Sequence, residues 1–421
     1  MHNYQLNVMQ VISNLDMGGA QEVVRTLAEN LTEAGCPTVV CAFKDGPLRK
    51  EIERLDIPVE ILPERHYSFL ALPFYLLEMF HLRRDLVNLV EKYHINVIQT
   101  HLLRSLDFLI LSLRFSNLLM KRFFSGNPDN NLLVFWTFQN AYFTLRKDHL
   151  AQNKWLLRPK RWAYRLLYRL AAHWVNGFIA VSDDVKDAIL KELGLDSTDP
   201  ICDKINIIYN SVDVRRYQAT SGKSRDENRS VIRRQLGLAE NACVAVVVAT
   251  FKEQKGHRYL IEAVPGVVSQ FPDLYILLVG DGDLREKLLA QAHTSGLDGH
   301  LRFLGFRSDI PDLLAASDFF VLPSLWEGLS MALVEAMASG LPVIATEVSG
   351  TRQVMVAGET GLLVPPGDSQ RLKEAMIQLL SDSARARAMG VAGLKRVEEY
   401  FSSKKQAQDH ISLFYREMTR G

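Results

Sequence analysis

Two glutamates, Glu327 and Glu335, lie eight positions apart in a stretch whose residue types suit a phosphorylated ligand. The run at 330–339 is apolar at helical spacing. Short apolar runs on either side predict two strands, at 319–322 and 343–346. The stretch therefore predicts a βαβ unit in which a helix N-terminus meets the carboxyl end of a strand. Backbone N–H groups at such a position bind anions, including a diphosphate.

The two carboxylates have a functional and a structural interpretation. A carboxylate inside an apolar helix is costly to bury without a partner, which makes Glu335 a candidate ligand-binding residue. Gly328 directly follows Glu327, so the backbone in front of the helix can approach a ligand closely. In the structural alternative, Glu327 caps the helix and Glu335 is a solvated helix residue.

A loop that contains two lysines follows another predicted strand, at 244–249. Lys255 precedes Gly256 in this loop, and Lys252 lies three positions earlier. A fixed cation at the end of a strand can neutralise charge that builds on a leaving phosphate. The alternative is a solvated loop lysine.

Together these stretches resemble the retaining glycosyltransferases of family four, which carry an E-x7-E signature and have the two-domain GT-B fold. The resemblance covers nearly the whole chain and is strongest at about 249–367. It implies that Glu335 bonds the ribose of a nucleotide-sugar donor and that Glu327 contacts the sugar hydroxyls. It also implies that the donor diphosphate is held by Lys255 and by the backbone N–H groups of Gly328, Leu329 and Ser330.

Three further positions resemble elements of the family. Gly18 and Gly19 form the first predicted strand-to-helix turn, where glycines expose backbone N–H groups, although an ordinary tight turn would also use them. Arg307 ends a stretch that resembles the edge of the base-binding pocket. His101 ends a predicted strand, where the family often has a histidine near the donor sugar or the acceptor. A buried structural histidine is the alternative.

The predicted site therefore has two groups of residues. The predicted catalytic residues are Glu327, Lys255 and His101. The predicted donor-binding residues are Gly18, Gly19, Lys252, Arg307, Gly328, Leu329, Ser330 and Glu335.

Two positions depart from the family pattern. Thr250 stands where many members carry an arginine, and Gln139 stands where the family often has a histidine. Glutamine cannot act as a general base at neutral pH, so position 139 offers hydrogen bonds only. These departures leave open a catalytically weak binding or scaffold protein. A nucleotide-sugar epimerase on the same fold is a second alternative.

Composition excludes several other classes of protein. A formal net charge of +1 argues against a general nucleic-acid-binding protein. The four cysteines lack zinc spacing and are expected to be reduced thiols of a cytoplasmic protein. The N-terminal residues do not have the basic and apolar pattern of a signal peptide. No Asp-x-Asp motif ends a suitable strand, which fits the metal independence that the resemblance implies, so neither metal nor cofactor is expected.

The alternation of strand and helix patterns predicts an α/β protein with two Rossmann-like, doubly wound domains. The expected divisions are an N-terminal acceptor-binding domain at 1–210, a C-terminal nucleotide-sugar-binding domain at 211–397 and a helix at 398–421. An apolar stripe along that helix predicts that it packs back on the N-terminal domain. The GT-B resemblance implies that the two domains face each other across a cleft.

A basic and aromatic segment at 146–174 has eight lysines or arginines and a single acidic residue. Basic charge with interleaved aromatics suits an anionic membrane surface, and the apolar stretch at 69–80 could add to such a surface. A solvated amphipathic helix, or an acceptor pocket at 69–80, is the alternative. The sequence thus predicts a cytoplasmic retaining glycosyltransferase of surface-polysaccharide biosynthesis, peripheral on the inner face of the cell membrane.

Overall fold

The computed structural model describes residues 5–16, 19–62, 72–101, 107, 110–111, 132–139, 157–196, 198–218 and 225–420, with the backbone alone at 72–79, 157–164 and 225–226. The chain divides into two compact units, Met1–Asn210 with Gln406–Gly421 and Ser211–Lys405. Each unit is a parallel sheet covered by helices, which confirms the predicted α/β fold.

The first unit is built on seven parallel strands: β1 (Val8–Asn14), β2 (Thr38–Lys44), β3 (Val59–Ile61), β4 (Val97–His101), β5 (Leu133–Phe138), β6 (Gly177–Ala180) and β7 (Ile205–Ile207). Their order in the sheet is β3-β2-β1-β4-β5-β6-β7. The central strands are buried along their length, which explains why their sequences are apolar runs and not alternating patterns.

The described helices that precede residue 210 cover this sheet: α1 (Gly19–Glu33), α2 (Leu48–Glu53), α3 (Leu72–Lys92), α4 (Leu157–Ala172) and α5 (Asp183–Leu193). Local sequence sets their ends. For example, Ser182 accepts a hydrogen bond from the Val185 N–H group at the start of α5, and Gly194 ends that helix in the left-handed conformation.

The second unit contains six parallel strands: β8 (Cys243–Val248), β9 (Leu274–Val279), β10 (Leu301–Gly305), β11 (Phe319–Leu322), β12 (Val343–Thr346) and β13 (Gly361–Val364). Their order is β10-β9-β8-β11-β12-β13. Its described helices are α6 (Val214–Gln218), α7 (Arg225–Gln235), α8 (His257–Val268), α9 (Arg285–Thr294), α10 (Ile310–Ala316), α11 (Met331–Ala338), α12 (Ser349–Val354), α13 (Ser369–Ser381) and α14 (Ser383–Tyr400).

Each sheet has one point at which the strand order reverses. In the first sheet β1 and β4 are neighbours there, and in the second sheet β8 and β11 are neighbours. Open parallel sheets bind ligands beyond the carboxyl ends of the strands at such a reversal. The two reversals therefore locate the candidate sites before any side chain is considered.

The last helix, α15 (Ser403–Thr419), belongs to the first unit from Gln406 onward. Phe414 is fully buried and its ring lies 4.9 Å from the ring of Phe135 in β5, so the predicted return of the C-terminal helix is confirmed. The return starts later than residue 398, which lies in α14. Residues 401 and 403 are still bonded to Val212 of the second unit.

Candidate functional site

The loops that follow β8 and β11 are tied together at the reversal of the second sheet. The Leu325 N–H group donates to the Gln254 carbonyl (2.7 Å), and the Gln254 side-chain amide donates to the Trp326 carbonyl (3.0 Å). Gly256 is left-handed, and a Cβ atom there would lie 2.0 Å from the Pro323 carbonyl oxygen. Only glycine fits this close approach, which explains the glycine after Lys255.

These loops bring Lys255 and Glu327 into contact. Lys255 Nζ lies 2.5 Å from Glu327 Oε1, and the Ser324 hydroxyl donates to the same oxygen at 2.6 Å. The lysine side chain is 19% exposed and the glutamate side chain 6% exposed. Removing either partner would leave a charge poorly solvated and unpaired, which is strongly destabilising for buried pairs.

Glu327 keeps one carboxylate oxygen for a further ligand. Both bonds from the described residues go to Oε1, and no described residue donates to Oε2. An ionised carboxylate accepts hydrogen bonds at both oxygens. The arrangement can therefore hold a hydroxyl-bearing group at Oε2 while Lys255 stays fixed.

The N-terminus of α11 opens beside this pair. Ser330 is its N-cap residue, and its side chain makes no capping hydrogen bond. A helix leaves its first N–H groups without intrahelical acceptors, so these groups remain available to an anion. Gly350 of α12 packs closely against the loop before the helix. A Cβ atom at Gly350 would overlap the Gly328 carbonyl oxygen.

Glu335 lies on α11, half-buried, one turn beyond the helix start. The sequence interpretation that it lies within an apolar helix agrees with the buried side chains around it, which are Leu333, Val334, Ala336, Met337 and Ala338. Gly328 is exposed, Leu329 is half-buried and Ser330 is buried, all directly before the helix.

Two predicted donor-binding residues lie elsewhere on the second unit. Lys252 is exposed just before Lys255, and no described side chain pairs with it. Arg307 follows β10 and forms a two-pronged ion pair with Asp309, at 2.7 and 2.5 Å. That bond raises the pKa of Arg307. Much of its donor capacity is therefore already engaged.

His257, the first residue of α8, was missed by sequence reasoning. It is 2% exposed, and neither ring nitrogen has a hydrogen-bond partner among the described residues. Its ring packs edge-on against Phe251, and burial together with the charge of Lys255 lowers the pKa of His257 to about 4. Its position directly after the Lys-Gly pair was the available signal.

At the reversal of the first sheet, His101 ends β4 and is 4% exposed. Its Nε2 atom lies 2.6 Å from Gln10 Oε1, and its Nδ1 atom lies 3.5 Å from the amide nitrogen of Gln139. Gly19 is the first residue of α1, where an added Cβ atom would meet nothing within 4 Å. Gly18 lies outside the described residues.

The basic segment at 146–174 is described only in part. Tyr168 of α4 is buried against Trp136, with the ring centroids 5.3 Å apart, so it cannot meet a surface. Arg169 bonds the carbonyls of residues 193 and 194 and pairs with Asp199 at 3.1 Å. The exposed apolar residues here, called the α4 apolar residues, are Leu166, Leu167, Leu170 and Trp174.

None of the helices in the described ranges is long and apolar enough to cross a membrane. No group of three or more His, Cys, Asp or Glu side chains within those same ranges could hold a metal ion.

Known proteins resemble both units. The UDP-Gal:alpha-D-GlcNAc-diphosphoundecaprenol alpha-1,3-galactosyltransferase of Escherichia coli is 32% identical over 230 residues, which are 53% of this chain and 57% of that protein. N-acetyl-alpha-D-glucosaminyl L-malate synthase of Bacillus anthracis is 31% identical over 211 residues, 50% of this chain and 53% of that protein. The chain thus spans about half the length of these curated relatives.

The fold also has solved counterparts. The crystal structure of Anabaena HepE in complex with UDP-glucose covers 97% of this chain and 100% of its own, with a TM-score of 0.72 at 22% identity. This likeness confirms the predicted fold class, which is GT-B with two doubly wound units. Two family models match the sequence: Glycosyltransferase Family 4 at 17–216 and Glycosyl transferases group 1 at 228–396. The chain, matched in both of its units, belongs to the group 1 and family 4 glycosyltransferases.

Proposed function

We propose that the protein transfers a sugar, with retention of anomeric configuration, from a nucleoside-diphosphate sugar to a glycan or lipid-linked acceptor of a bacterial surface polysaccharide. The observation that carries the proposal is the Lys255–Glu327 pair beside the N-terminus of α11, at the strand reversal of the second sheet. The Escherichia coli relative is named for UDP-galactose, and HepE was crystallised with UDP-glucose.

Each group at this site has a role that its chemistry suits. The N–H groups before and within the first turn of α11 bind the diphosphate together with Lys255. Glu327 Oε2 accepts a hydroxyl of the transferred sugar, and Glu335 accepts the ribose hydroxyls. Lys252, exposed nearby, adds a second positive charge, and Arg307 borders the base while it remains paired with Asp309.

The proposed transfer breaks the bond between the anomeric carbon and the phosphate oxygen. Negative charge then grows on the departing diphosphate. Lys255 and the helix N-terminus stabilise that charge. The acceptor oxygen bonds the anomeric carbon on the same face, and its proton passes to the departing phosphate oxygen. Gln139 cannot accept that proton as a base, which favours the leaving group as the proton acceptor.

In this proposal the first unit binds the acceptor. Gly19 and His101 lie at the carboxyl ends of β1 and β4, the place at which an open parallel sheet takes a ligand. His101 contributes a hydrogen bond to a hydroxyl group. No metal or other cofactor is needed for the step as written, because the lysine and the helix N-terminus carry the positive charge.

A product assay tests the function. The full chain is incubated separately with UDP-glucose, UDP-galactose, UDP-N-acetylglucosamine and GDP-mannose, using the α-D-GlcNAc-diphosphoundecaprenol acceptor of the Escherichia coli relative. We expect one donor to release nucleoside diphosphate and to give an α-linked product by NMR. Glu327→Gln should lower the rate at least about 100-fold, as loss of a transition-state contact does. Lys287→Ala, an exposed lysine of α9, is the matched control and should keep the wild-type rate.

The same assay separates the alternatives. Slow donor hydrolysis without acceptor would exclude a pure scaffold. Interconversion of donors without any transfer would support an epimerase instead. Absence of both release and interconversion with all four donors would contradict the proposed donor class.

We also propose that α4 contacts an anionic membrane at the cytoplasmic face. The α4 apolar residues are 42–55% exposed, and Arg165 on the same helix is exposed beside them. Apolar side chains next to basic ones bind anionic interfaces, with about 1 kcal/mol for each basic residue near the surface. Arg169 is already bonded to Asp199 and to two backbone carbonyls. Leu167 and Leu170 are therefore the better residues to change.

Liposome flotation tests the membrane proposal. The double variant Leu167→Ser, Leu170→Ser should lose binding to vesicles of phosphatidylglycerol and phosphatidylcholine. Val391→Ser, which removes a more exposed apolar residue from α14, should keep it. Wild-type binding should fall with salt, since attraction is screened beyond about 10 Å at 0.1 M. Equal flotation with pure phosphatidylcholine would leave the solvated-helix interpretation.

A further inference from the structure

A chain of buried polar side chains crosses the core of the first unit from α15 to the end of β4. Its members, called the polar chain, are His410, Gln99, Gln10 and His101, none more than 4% exposed. Gln10 and Gln99 are register partners on β1 and β4. They lie among Phe135, Phe414 and other apolar residues, where an unpaired polar group is costly.

Every link of the polar chain is within hydrogen-bond distance. His410 Nδ1 lies 2.8 Å from the Gln406 carbonyl oxygen, and His410 Nε2 lies 3.1 Å from Gln99 Nε2. Gln99 Nε2 also donates to the Thr137 hydroxyl at 2.7 Å. The remaining links join Gln10 Nε2 to Gln99 Oε1 at 3.1 Å and His101 Nε2 to Gln10 Oε1 at 2.6 Å.

One group that can only accept a hydrogen bond sets the donor and acceptor at every link of the polar chain. The Gln406 carbonyl only accepts, so His410 Nδ1 carries a proton, and the Nε2 atom of the neutral ring is an acceptor. Gln99 must then present its NH2 group to His410 and its oxygen to Gln10. Gln10 in turn presents its oxygen to His101, which therefore carries its proton on Nε2.

The far end of the polar chain agrees with this direction. With the proton on Nε2, His101 Nδ1 is an acceptor, and the group that faces it is the NH2 of Gln139 at 3.5 Å. The next contact has the same direction, because the Gln139 oxygen accepts from Asn210 Nδ2 at 2.8 Å. Burial keeps both rings neutral, lowering the pKa of His101 to about 3 and that of His410 to about 4.

We propose that His410, through Gln99 and Gln10, is a positioning residue that fixes His101 in the Nε2–H tautomer and so presents Nδ1 as a hydrogen-bond acceptor at the carboxyl end of β4. The Nδ1 contact with Gln139 is long, so a better donor can replace it. Asn210 Oδ1, buried on the other side of Gln139, also has no partner among the described residues.

Two acceptors at one sheet edge suit a ligand that donates, such as the hydroxyl groups of a sugar. This assignment of ligand class rests on the proposed function. The tautomer itself does not, because it follows from bonds within the unit. A C-terminal helix far along the sequence would thus set the chemistry of a residue at the site.

Nitrogen NMR of the full chain tests the polar chain. Long-range ¹H–¹⁵N spectra of protein labelled with ¹⁵N-histidine distinguish protonated from unprotonated ring nitrogens, and His101→Gln identifies the His101 signals among the 11 histidines. We expect His101 to show a single tautomer with the proton on Nε2. His410→Phe should replace it with a mixture of tautomers, because the direction of Gln99 is then no longer fixed.

Two variants separate positioning from packing. His410→Met places a thioether sulfur, which can only accept, near the Gln99 NH2 group, and it should favour the same single tautomer. Phe414→Leu weakens the packing of the same helix against the His410 ring but removes no hydrogen-bonding group of the polar chain, and it should leave the tautomer unchanged. A His101 proton on Nδ1 in the wild-type spectrum would overturn the proposal, even if His410→Phe fails to fold. An unchanged tautomer in His410→Phe, or equal loss in Phe414→Leu, would also overturn it. The spectra need no donor, so they decide this inference separately from the proposed transfer.

Discussion

Lys255 and Glu327 are both too buried to leave either charge unpaired, yet each keeps capacity for a ligand. The ammonium group has three donors, and only one is taken by the carboxylate. The carboxylate keeps Oε2 free of the described residues. A structural ion pair would not need loops that are packed closely at a glycine, as the loop of Lys255 is at Gly256 and the loop of Glu327 is against Gly350. The local geometry therefore favours a ligand-binding interpretation.

Substitutions at two site residues should separate binding from chemistry. Lys255→Ala should lower kcat by about 100-fold or more, because the lysine meets charge that grows in the transition state. Glu335→Ala should mainly raise KM, since the ribose is unchanged by the reaction and its contact is uniform binding. Steady-state kinetics with varied donor measure both, and wild-type constants in both variants would contradict the site assignment.

The candidate residues of the second unit could be found from sequence because they are local. Glu327 and Lys255 lie in loops that follow strand patterns, each directly before a glycine, and Glu335 lies in the apolar helix pattern that follows Glu327. Their pairing could not be predicted, because it depends on β8 and β11 being neighbours. The polar chain was missed for the same reason, although glutamines inside two buried strands, at 10 and 99, were a usable signal.

At the scale of elements, the proposed site uses the N-terminus of α11 to supply the positive charge that a bound cation supplies in many phosphate sites. We therefore expect transfer to continue in EDTA at the wild-type rate, with no increase on addition of magnesium or manganese. An enzyme that EDTA inactivates and magnesium restores would remove this account of the diphosphate site. Rates measured after extensive dialysis against the chelator make the comparison.

The helix α15 should be required by the first unit. Deleting residues 403–421 exposes buried Ala407, Leu413 and Phe414 and breaks the polar chain at His410. Burial of one large apolar side chain contributes about 1.5–3 kcal/mol, so Leu413 and Phe414 together contribute about 3–6 kcal/mol, against a typical domain stability of about 5–15 kcal/mol.

A chain that ends at Ser402 should therefore aggregate or lose activity, as size-exclusion chromatography and the transfer assay would show. This end point keeps Phe401, which is buried and accepts a bond from Val212, and the second unit loses only residues 403–405 with the bond from the Ser403 N–H group to the Val212 carbonyl. A soluble, fully active truncation would mean that α15 is dispensable.

Most elements could be predicted because apolar runs and glycine or proline turns mark them, and strands β11, β12 and β13 lie at the predicted residues. The three-residue strand β7 was not predicted, since so short a run has no periodicity.

At the scale of the whole molecule, buried histidines make stability depend on pH. Burial lowers the pKa of His257 and His410 to about 4, against about 6.5 in the unfolded chain. Between these values the unfolded chain binds more protons. The contribution of each neutral histidine to the free energy of unfolding is therefore complete above pH 6.5. It is lost as pH falls towards 4, by about 1.4 kcal/mol for each pH unit.

Urea unfolding at pH 7.5, 6.5, 5.8 and 5.0 measures this dependence before most carboxylates titrate. His410→Phe should flatten the slope by the share of one histidine. The bond to the Gln406 carbonyl and, to a lesser extent, the Asp409 charge oppose the burial that lowers the pKa of His410. Phe414→Leu should lower stability at every pH without changing the slope. A wild-type stability that stays constant from pH 7.5 to 5.0 would contradict neutral buried histidines.

The central claim is that a nucleoside diphosphate binds where the loops after β8 and β11 meet. The most direct test is a crystal structure of the full chain with the nucleoside diphosphate that most raises its melting temperature. We predict phosphate oxygens within hydrogen-bond distance of Lys255 Nζ and of the N–H groups at 328–330, and ribose hydroxyls on Glu335. A nucleotide bound elsewhere, with neither Lys255 nor Glu335 in contact, would contradict the account.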